Sequence, residues 1–455
     1  MHKLHTAGMI LLSLSSPLLL AQSQGKPLPN APMLLQMSAS STVAPSNDEV
    51  LTRQQAEQLA LKNNPRISVA ALIALAQKQV VRETRSAELP SLYGNGTGVG
   101  AEQASRLASG DLASSRLLNH VGGGLQLSQL ITDFGRTPNL VATSSLQAKA
   151  AEQNAEATRE DIVFAADLAF YNALEAQATL QVANSTVNER QSIGDQVDAL
   201  TASKLKSTLD QSFAQVNLSE AKLLLLNSKN QAEAAMASLN DILGETTEHI
   251  YHLVDDTDLP TPIANSAEAL ITMALQQRPD LKSLQLTHEA DVRFSRAQHE
   301  QLLPTVSALG VVGGTPVGSS TYYDPRWYGA AGINISVPVF EGFKFHAEAN
   351  EATLRAKASN EQSRQLTDRI VRDVRTAWLS ANTAQQRMAV TAELLKEANT
   401  AMDLAQTRYQ LGLSSIVELS QAQLQQTQAQ IASANARFEY EADLAALRFQ
   451  SGVQP

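Results

Sequence analysis

Two hydrophobic periods alternate along this chain. From Val374 to Tyr409 apolar residues return every seven positions (Val374, Ala381, Met388, Leu395, Met402, Tyr409), and Ala377, Ala384, Thr391, Ala398 and Ala405 stand three positions after the first five. A seam of that period belongs to helices wound around one another, and its small residues let neighbouring backbones approach closely. Residues 345–411 contain no Pro, so at about 1.5 Å per residue they form a rod of roughly 100 Å. Val417, Leu424, Ile431, Phe438 and Ala445 continue the device in a following helix, and Ala166, Ala173, Leu180 and Val187 repeat it earlier before it weakens. Elsewhere the period drops to two. Ile333, Ile335, Val337 and Val339 alternate with Asn334, Ser336 and Pro338, as Leu125 and Leu127 do with Gln126 and Ser128. These are strands with one apolar and one polar face. Their partners, about 92–101 and 305–314, are Gly-rich, with Gly94, Gly96, Gly98 and Gly100 on one face.

The two patterns occur twice. Leu59-Ala60-Leu61-Lys62-Asn63-Asn64-Pro65 lies over Met273-Ala274-Leu275-Gln276-Gln277-Arg278-Pro279 at an offset of 214, which also carries Leu89-Pro90 onto Leu303-Pro304. Beyond Leu125 the offset is 208: Ala148-Lys149-Ala150 falls on Ala356-Lys357-Ala358, and Leu205, Ser207 and Asp210 fall on Leu413, Ser415 and Glu418. A tandem duplication with one six-residue gap between Pro90 and Leu125 accounts for both offsets. The expected order within each unit is helix, strand, strand, long helix, helix. Expected boundaries are a signal peptide at 1–23, a flexible lead-in at 24–47, repeat 1 at 48–244, a connector at 245–265 and repeat 2 at 266–455.

The signal peptide rests on Lys3, the apolar stretch Ala7–Leu20 and the small-x-small site Ala21-Gln22-Ser23. That stretch is too short for a spanning helix, which needs about 20 residues, and no later apolar run approaches that length. Entry into a membrane therefore falls to the strands. Each is near the roughly 9–11 residues that a tilted membrane strand requires, and Tyr322, Tyr323, Trp327 and Tyr328 cluster where an interfacial aromatic girdle would sit. Four strands cannot close a transmembrane barrel, so several chains must share one.

Composition narrows the function by exclusion. A net charge of −10 argues against a nucleic-acid binder, and 4% aromatics supply little for a thick globular core. With no Cys, disulfides, zinc–thiolate sites, thiol catalysis and a Cys-linked lipid anchor are excluded. Asp133-Phe134-Gly135 lacks the other kinase motifs and reads as a strand-to-helix corner, while Gly310, Gly313, Gly314 and Gly318 lack the Lys-Ser/Thr of a phosphate loop. His249 and His252, with Asp255, Asp256 and Asp258 close by, read as scattered surface polar residues rather than a metal site. No catalytic constellation stands out, so neither enzyme activity nor a cofactor is expected.

In combination, the signal peptide, the duplication, the Leu-Ala-Leu-x-x-Asn-Pro opening at Leu59–Pro65, Asp133-Phe134-Gly135-Arg136 after a strand, and Arg408-Tyr409-Gln410-Leu411-Gly412-Leu413-Ser414 before Ser415-Ile416-Val417-Glu418-Leu419 resemble the TolC-like outer membrane factors over roughly residues 48–452. The resemblance implies a mainly α protein with a small β part. It implies a homotrimer sharing a 12-stranded outer-membrane β-barrel, four strands per chain, joined to a long periplasmic α-helical coiled-coil barrel. The implied function is an outer-membrane exit channel of a Gram-negative bacterium. Implied partners are outer-membrane lipid, a periplasmic adaptor (membrane fusion protein) and an inner-membrane transporter of the RND, ABC or MFS class, for efflux or type I secretion. It places the periplasmic mouth near Thr201–Leu209 and Tyr409–Val417. Glu418, Asp210 and Tyr409 then match gate positions, with Gln421 where a second gate carboxylate would stand. Leu411, Gly412, Leu413 and Ser414, with Leu205 and Ser207, match the adaptor-docking turns. Ser414 stands where an Arg can occur, and Lys204 replaces the first-unit Gly. The second reading is a soluble periplasmic coiled-coil scaffold or adaptor, which needs the heptads but not the strands.

Overall fold

The computed structural model describes residues 49–100, 106–107, 115–116, 120–247, 249–255, 263, 266–314 and 327–453. The expected signal peptide and lead-in, Tyr322, Tyr323, Asp256, Asp258 and Gly318 lie outside them. The elements are β1 (Glu49–Leu51), α1 (Arg53–Asn63), α2 (Pro65–Arg85), β2 (Ser91–Val99), β3 (Arg106–Leu107), β4 (Ser115–Arg116), β5 (His120–Thr132), α3 (Arg136–Ala202), α4 (Thr208–Leu243), β6 (Tyr251–Leu253), α5 (Ala267–Gln277), α6 (Pro279–Glu300), β7 (Thr305–Gly314), β8 (Trp327–Ser336), α7 (Lys344–Gln410) and α8 (Ile416–Ser451). The duplication is visible in the bounds themselves. Helices α3 and α7 each have 67 residues, α4 and α8 each have 36, and both pairs start 208 positions apart.

Local chemistry sets the breaks. Thr52 closes a capping box with Gln55 at the start of α1. Pro65 and Pro279 then stand at the first positions of α2 and α6, where a missing N–H costs nothing, so α1 and α5 end just before them. Gly244 and Gly452 end α4 and α8 in the left-handed conformation. A Cβ at Gly244 would sit 2.8 Å from the Asn63 carbonyl oxygen, and one at Gly452 would sit 3.3 Å from the Arg278 side chain. Both approaches exist because the helices stack end to end. Asn64 Nδ2 donates to the Ile242 carbonyl at 3.0 Å, and Arg278 Nη1 donates to the Gln450 carbonyl at 3.2 Å. The 21-residue α2 thereby extends α4, and the 22-residue α6 extends α8.

The result is a wall of four helical columns. The column of α2 and α4 packs on α3, α3 packs on α6 and α8, and these pack on α7. The heptad seam of α7 is buried as its spacing predicts: Val374, Ala381, Ala384, Thr391, Ala398, Met402, Ala405 and Tyr409 face neighbours. The α8 stripe departs from expectation. Ile416, Leu419, Ala422, Gln423 and Ala429 are buried, whereas Val417 and Leu424 are about half exposed. The expected stripe is split along its length: Val417 and Leu424 face outward, Ile431 and Phe438 are partly buried, and Ala445 lies in the core.

Helix α1 straps across α3, with Ala56 and Ala60 against Ile162, Ala166, Phe170 and Ala173. Beside it β1 pairs in parallel with β6, so the expected connector contributes a strand next to the start of repeat 1. Helix α5 packs on α7 around Ile271, Ala274, Ile370 and Val374.

At the far end β2, β5, β7 and β8 form an antiparallel four-stranded sheet in that order. The register sets Leu92 opposite Leu127, Leu125 opposite Val312 and Ala308 opposite Ile333. One face is therefore apolar, while Gln126, Ser128, Ser307 and Asn334 share the other. Strand β8 ends at Ser336, short of the expected Val337 and Val339, because Pro338 has no N–H for the ladder. Gly124 and Gly313 are required here. A Cβ on either would fall 2.8 Å from a backbone oxygen of the neighbouring strand, and one on Gly313 would also meet the Tyr328 hydroxyl at 2.8 Å.

Two predictions follow from the strap. Phe170 is fully buried, so Phe170→Ala lowers stability by about 3–5 kcal/mol, read from a drop in the helical unfolding temperature. The second concerns Asp167, where burial pushes the carboxyl up to about 7, nearby Glu57 adds to the effect, and Arg53 at 3.5 Å opposes it. An unfolded carboxyl titrates near 3.9, so between about pH 4 and 7 the folded form alone holds the proton. Stability contributed by this group is therefore lost as pH rises through that window. Unfolding temperatures measured from pH 4.5 to 8 decline less steeply in Asp167→Asn.

Candidate functional site

The two turns at the end of the helical wall are built alike. Past the end of α3, the Lys204 N–H donates to the Thr201 carbonyl at 2.9 Å and the Leu205 N–H to that of Leu200 at 2.9 Å. Past α7, the Gly412 N–H donates to Tyr409 at 3.1 Å and the Leu413 N–H to Arg408 at 2.8 Å. Each bond reaching five residues back closes a helix over a left-handed residue. That residue is Gly412 in one turn, at φ +73°, and Lys204 in the other, at φ +56°. Gly adopts this conformation freely, whereas a side chain there costs roughly 1–2 kcal/mol.

The next helices start differently. Ser207 and Asp210 form a reciprocal capping box, in which the Ser207 N–H donates to Asp210 Oδ2 at 3.1 Å and the Asp210 N–H donates to Ser207 Oγ at 3.2 Å. Ser415 Oγ accepts from the Glu418 N–H at 3.3 Å, but the Glu418 carboxylate turns instead to Arg408, whose Nε lies 3.1 Å away. Both acidic candidates thus have local tasks, and Gln421 is exposed.

Tyr409 sits between the turns. It is 5% exposed within the cluster of Ile193, Val197, Ala214, Met402, Ile416 and Leu419. Lys206 Nζ lies 3.9 Å from its ring centroid and donates to its carbonyl at 3.4 Å. Burial pushes the Tyr409 hydroxyl up, with Asp210 adding to the effect. The hydroxyl is buried and makes no hydrogen bond among the described residues, and the same holds for Ser414 Oγ. Leu205, Leu411 and Leu413 are exposed at the tips, each by about two-thirds or more of its surface. The structure therefore brings Tyr409, Lys206 and Asp210 together, pairs Glu418 with Arg408, and leaves Gln421 apart.

Two groups were not legible from spacing. A polar node further along the same helices joins three of them. Arg190 Nη2 donates to the Gln423 carbonyl at 2.9 Å and to Thr427 Oγ1 at 3.1 Å, while Asn217 Nδ2 donates to Ser420 Oγ at 2.7 Å and to Gln423 Oε1 at 3.2 Å. Arg190 is only 5% exposed, and burial pulls its guanidinium down, against the adjacent Glu189. Its one sequence signal is a charge at a position of the buried face. The second group is at the opposite end of α3 and α7, where Phe134 and Phe343 occupy left-handed backbone yet expose most of their surface; Phe340 packs edge-on against Phe343 at 5.6 Å. Trp327 and Tyr328 lie at the other end of β8, also exposed. In the connector, His249 stacks on Tyr251 and Asp255 pairs with Arg437 at 2.6 Å, so these residues serve packing contacts.

The comparisons with known proteins agree with this geometry. A family model described as Outer membrane efflux protein matches residues 56–245 and 270–453. Outer membrane protein TolC of Escherichia coli (strain K12) is 23% identical over 432 residues, covering 90% of this chain and 83% of that protein. Alkaline protease secretion protein AprF of Pseudomonas aeruginosa is 24% identical over 417 residues, covering 87% of this chain and 83% of that one. Among solved structures, the outer-membrane channel OprN superposes with a TM-score of 0.77 at 19% identity, over 88% of this chain and 90% of the other.

Removing the orphan hydroxyl separates packing from a hidden partner. Tyr409→Phe is expected to leave the unfolding temperature unchanged or slightly raised, since a buried hydroxyl without a partner gains nothing from folding. A fall of more than about 1 kcal/mol in urea titration would show instead that the hydroxyl is hydrogen-bonded in the folded protein.

Proposed function

This chain belongs to the outer membrane efflux protein family and is an outer-membrane exit channel with a periplasmic helical part, and we propose that it works as a homotrimer between a periplasmic adaptor and an inner-membrane transporter of the RND, ABC or MFS class. The observation that carries the assembly is a pair of open edges. The sheet ends in β2 on one side and β8 on the other, and the helical wall ends in the α2/α4 column on one side and α7 on the other. Each free helical edge exposes large apolar side chains: Leu72, Leu209, Val216 and Leu223 on one, Leu354, Leu379, Val390 and Leu404 on the other. Leu209, Val216 and Leu223 repeat every seven residues, the spacing of a coiled-coil seam without its second helix. Two different edges joined head to tail close a ring of identical copies. Three chains of four strands give a barrel of the even-numbered antiparallel class, and in lipid the ring cannot stay open.

The β end then lies in the membrane. Ten residues of β8 at about 3.3 Å each, tilted by roughly 40°, span about 25 Å, the height of an outer-membrane apolar band. Trp327 and Tyr328 bound that band at one side, with Phe134, Phe340 and Phe343 at the other. The turns at Ser203–Ser207 and Leu411–Ser415 form the periplasmic mouth, where Glu418 and Asp210 contribute acidic charge, Tyr409 anchors the turns, and Gln421 leaves the acid set smaller than in relatives with a second carboxylate. Leu205, Ser207, Leu411, Gly412, Leu413 and Ser414 form the adaptor-facing surface.

In planar bilayers the purified protein is expected to conduct ions, and amine crosslinking of the same preparation is expected to stop at three chains. A monodisperse non-conducting monomer would sink the proposal. In Glu418→Gln the ratio of cation to anion permeability should fall roughly two- to fivefold, the scale of one exposed charge, because Arg408 loses its counter-charge. Unchanged selectivity in a conducting variant removes Glu418 from the gate.

A further inference from the structure

Where the end of α1 meets α3 and α8, the helices leave a half-open cleft of about 210 Å³. Leu61, Val163 and Val453 line it together with Phe164 and Phe449, whose rings stack at 4.7 Å with 9° between their planes. A dry cavity of roughly 150 Å³ holds benzene, so this one has room for a ring and a small polar group. Charge decides which polar group. Of the acids that line the cleft, Glu156 lies 3.9 Å from Arg159, Asp167 faces Arg53 and Glu57, and Glu160 is engaged as well. Arg448 also lines it, and its guanidinium makes no hydrogen bond or ion pair among the described residues. The buried Glu441 is within electrostatic reach of Arg448 but is not bonded to it. The charge left over in the cleft is therefore a guanidinium, whose fork of donors matches a carboxylate in two parallel bonds.

We propose that this cleft is a binding site for a small aromatic carboxylate, whose ring lies against Phe164 and Phe449 and whose carboxylate accepts from Arg448. Leu61 and Val453 cover the ring from the sides. Contact with an aromatic face adds to the apolar area removed from water, so the ring supplies the larger share of affinity. The charge supplies selectivity. A neutral ring of the same shape keeps the apolar contacts but loses the charge-assisted bonds, and an ammonium in the same place meets Arg448 with like charge. A ligand here touches α1, α3 and α8 at once and holds the end of the strap to the wall. All of these residues belong to one chain, so occupancy does not require the ring of copies proposed above.

Para-fluorobenzoate, para-fluorobenzamide and para-fluorobenzylamine provide probes of one shape and three charges. Each is titrated by fluorine NMR against the full-length protein in detergent at pH 6, with empty micelles as the blank. Burial keeps Asp167 protonated there, since its carboxyl is pushed up to about 7. The benzoate is expected to bind with a dissociation constant on the order of 1 mM, as suits so small a ligand in a half-open site. It should bind about three- to tenfold more tightly than the benzamide, the range of a partly exposed charged hydrogen bond, and the benzylamine more weakly than both. The preference should vanish in Arg448→Gln and return in Arg448→Lys, whereas Phe449→Leu should weaken benzoate and benzamide alike. Circular dichroism checks that each variant is folded. If Arg448→Gln does not fold, the three probes on the unaltered protein still decide. Equal binding of benzoate and benzamide overturns the carboxylate assignment, as does a preference that persists in folded Arg448→Gln or tighter binding of the benzylamine. If no probe exceeds its micelle blank at about 10 mM, the cleft is not a binding site.

Discussion

An unpaired backbone group in hydrocarbon costs several kcal/mol, and the four-stranded sheet of this chain ends in two rows of them. That cost organises the molecule. A soluble sheet blunts its edges with charges, prolines or bulges, but β8, at one edge, carries Trp327, Tyr328, Ile333 and Ile335 and no charge. Its edge is made to be paired. The helical part has the same open character: α7 and the α2/α4 column leave large apolar side chains uncovered, which the ring of identical copies proposed above would cover.

End-to-end stacking explains how one repeat serves both regions. A 67-residue helix runs roughly 100 Å, and no single helix packed against either α3 or α7 matches that length. Two shorter helices joined head to tail do, with the joints fixed by Asn64, Arg278 and the glycines at 244 and 452. The joints lie beside the α1 and α5 straps, where Phe170, Tyr171 and Tyr440 supply the few large side chains the composition allows. A chain poor in aromatics thus buries several of its largest beside these straps, and along the rest of the helical wall relies on Ala-rich seams that draw helices close together.

Much of this was legible in the sequence, because periodicity reports faces. The seam from Val374 to Tyr409, the rod without Pro, the alternating strands and the two offsets all correspond to observed elements. What period alone leaves open is which neighbour a face meets. Val417 and Leu424 share a seven-residue stripe yet lie outside the chain's own core, and the Arg190 node depends on Asn217 and Gln423, residues that are distant in sequence and individually unremarkable in type. The strand at Tyr251–Leu253 is too short to show a pattern, and its partner at Glu49–Leu51 lies some 200 residues away. The mouth residues were named by resemblance, and the bonds that occupy Asp210 and Glu418 are matters of side-chain geometry that no spacing reveals.

Duplication has a further consequence at the α3–α4 and α7–α8 turns. Two copies of a unit in one chain relax the demand that every position around a ring be the same, since each can drift separately while the backbone stays common. Gly412 and Lys204 record such drift: the same hydrogen bonds close both turns, but one turn accepts a side chain the conformation disfavours. Asp210 and Glu418 record it again, one folded into a capping box and the other drawn to Arg408. A ring built from three identical chains would present six nearly equivalent turns, and these differences divide them into two alternating sets. The charge pattern of the two turns is therefore set within each chain, by which local bond each acid makes.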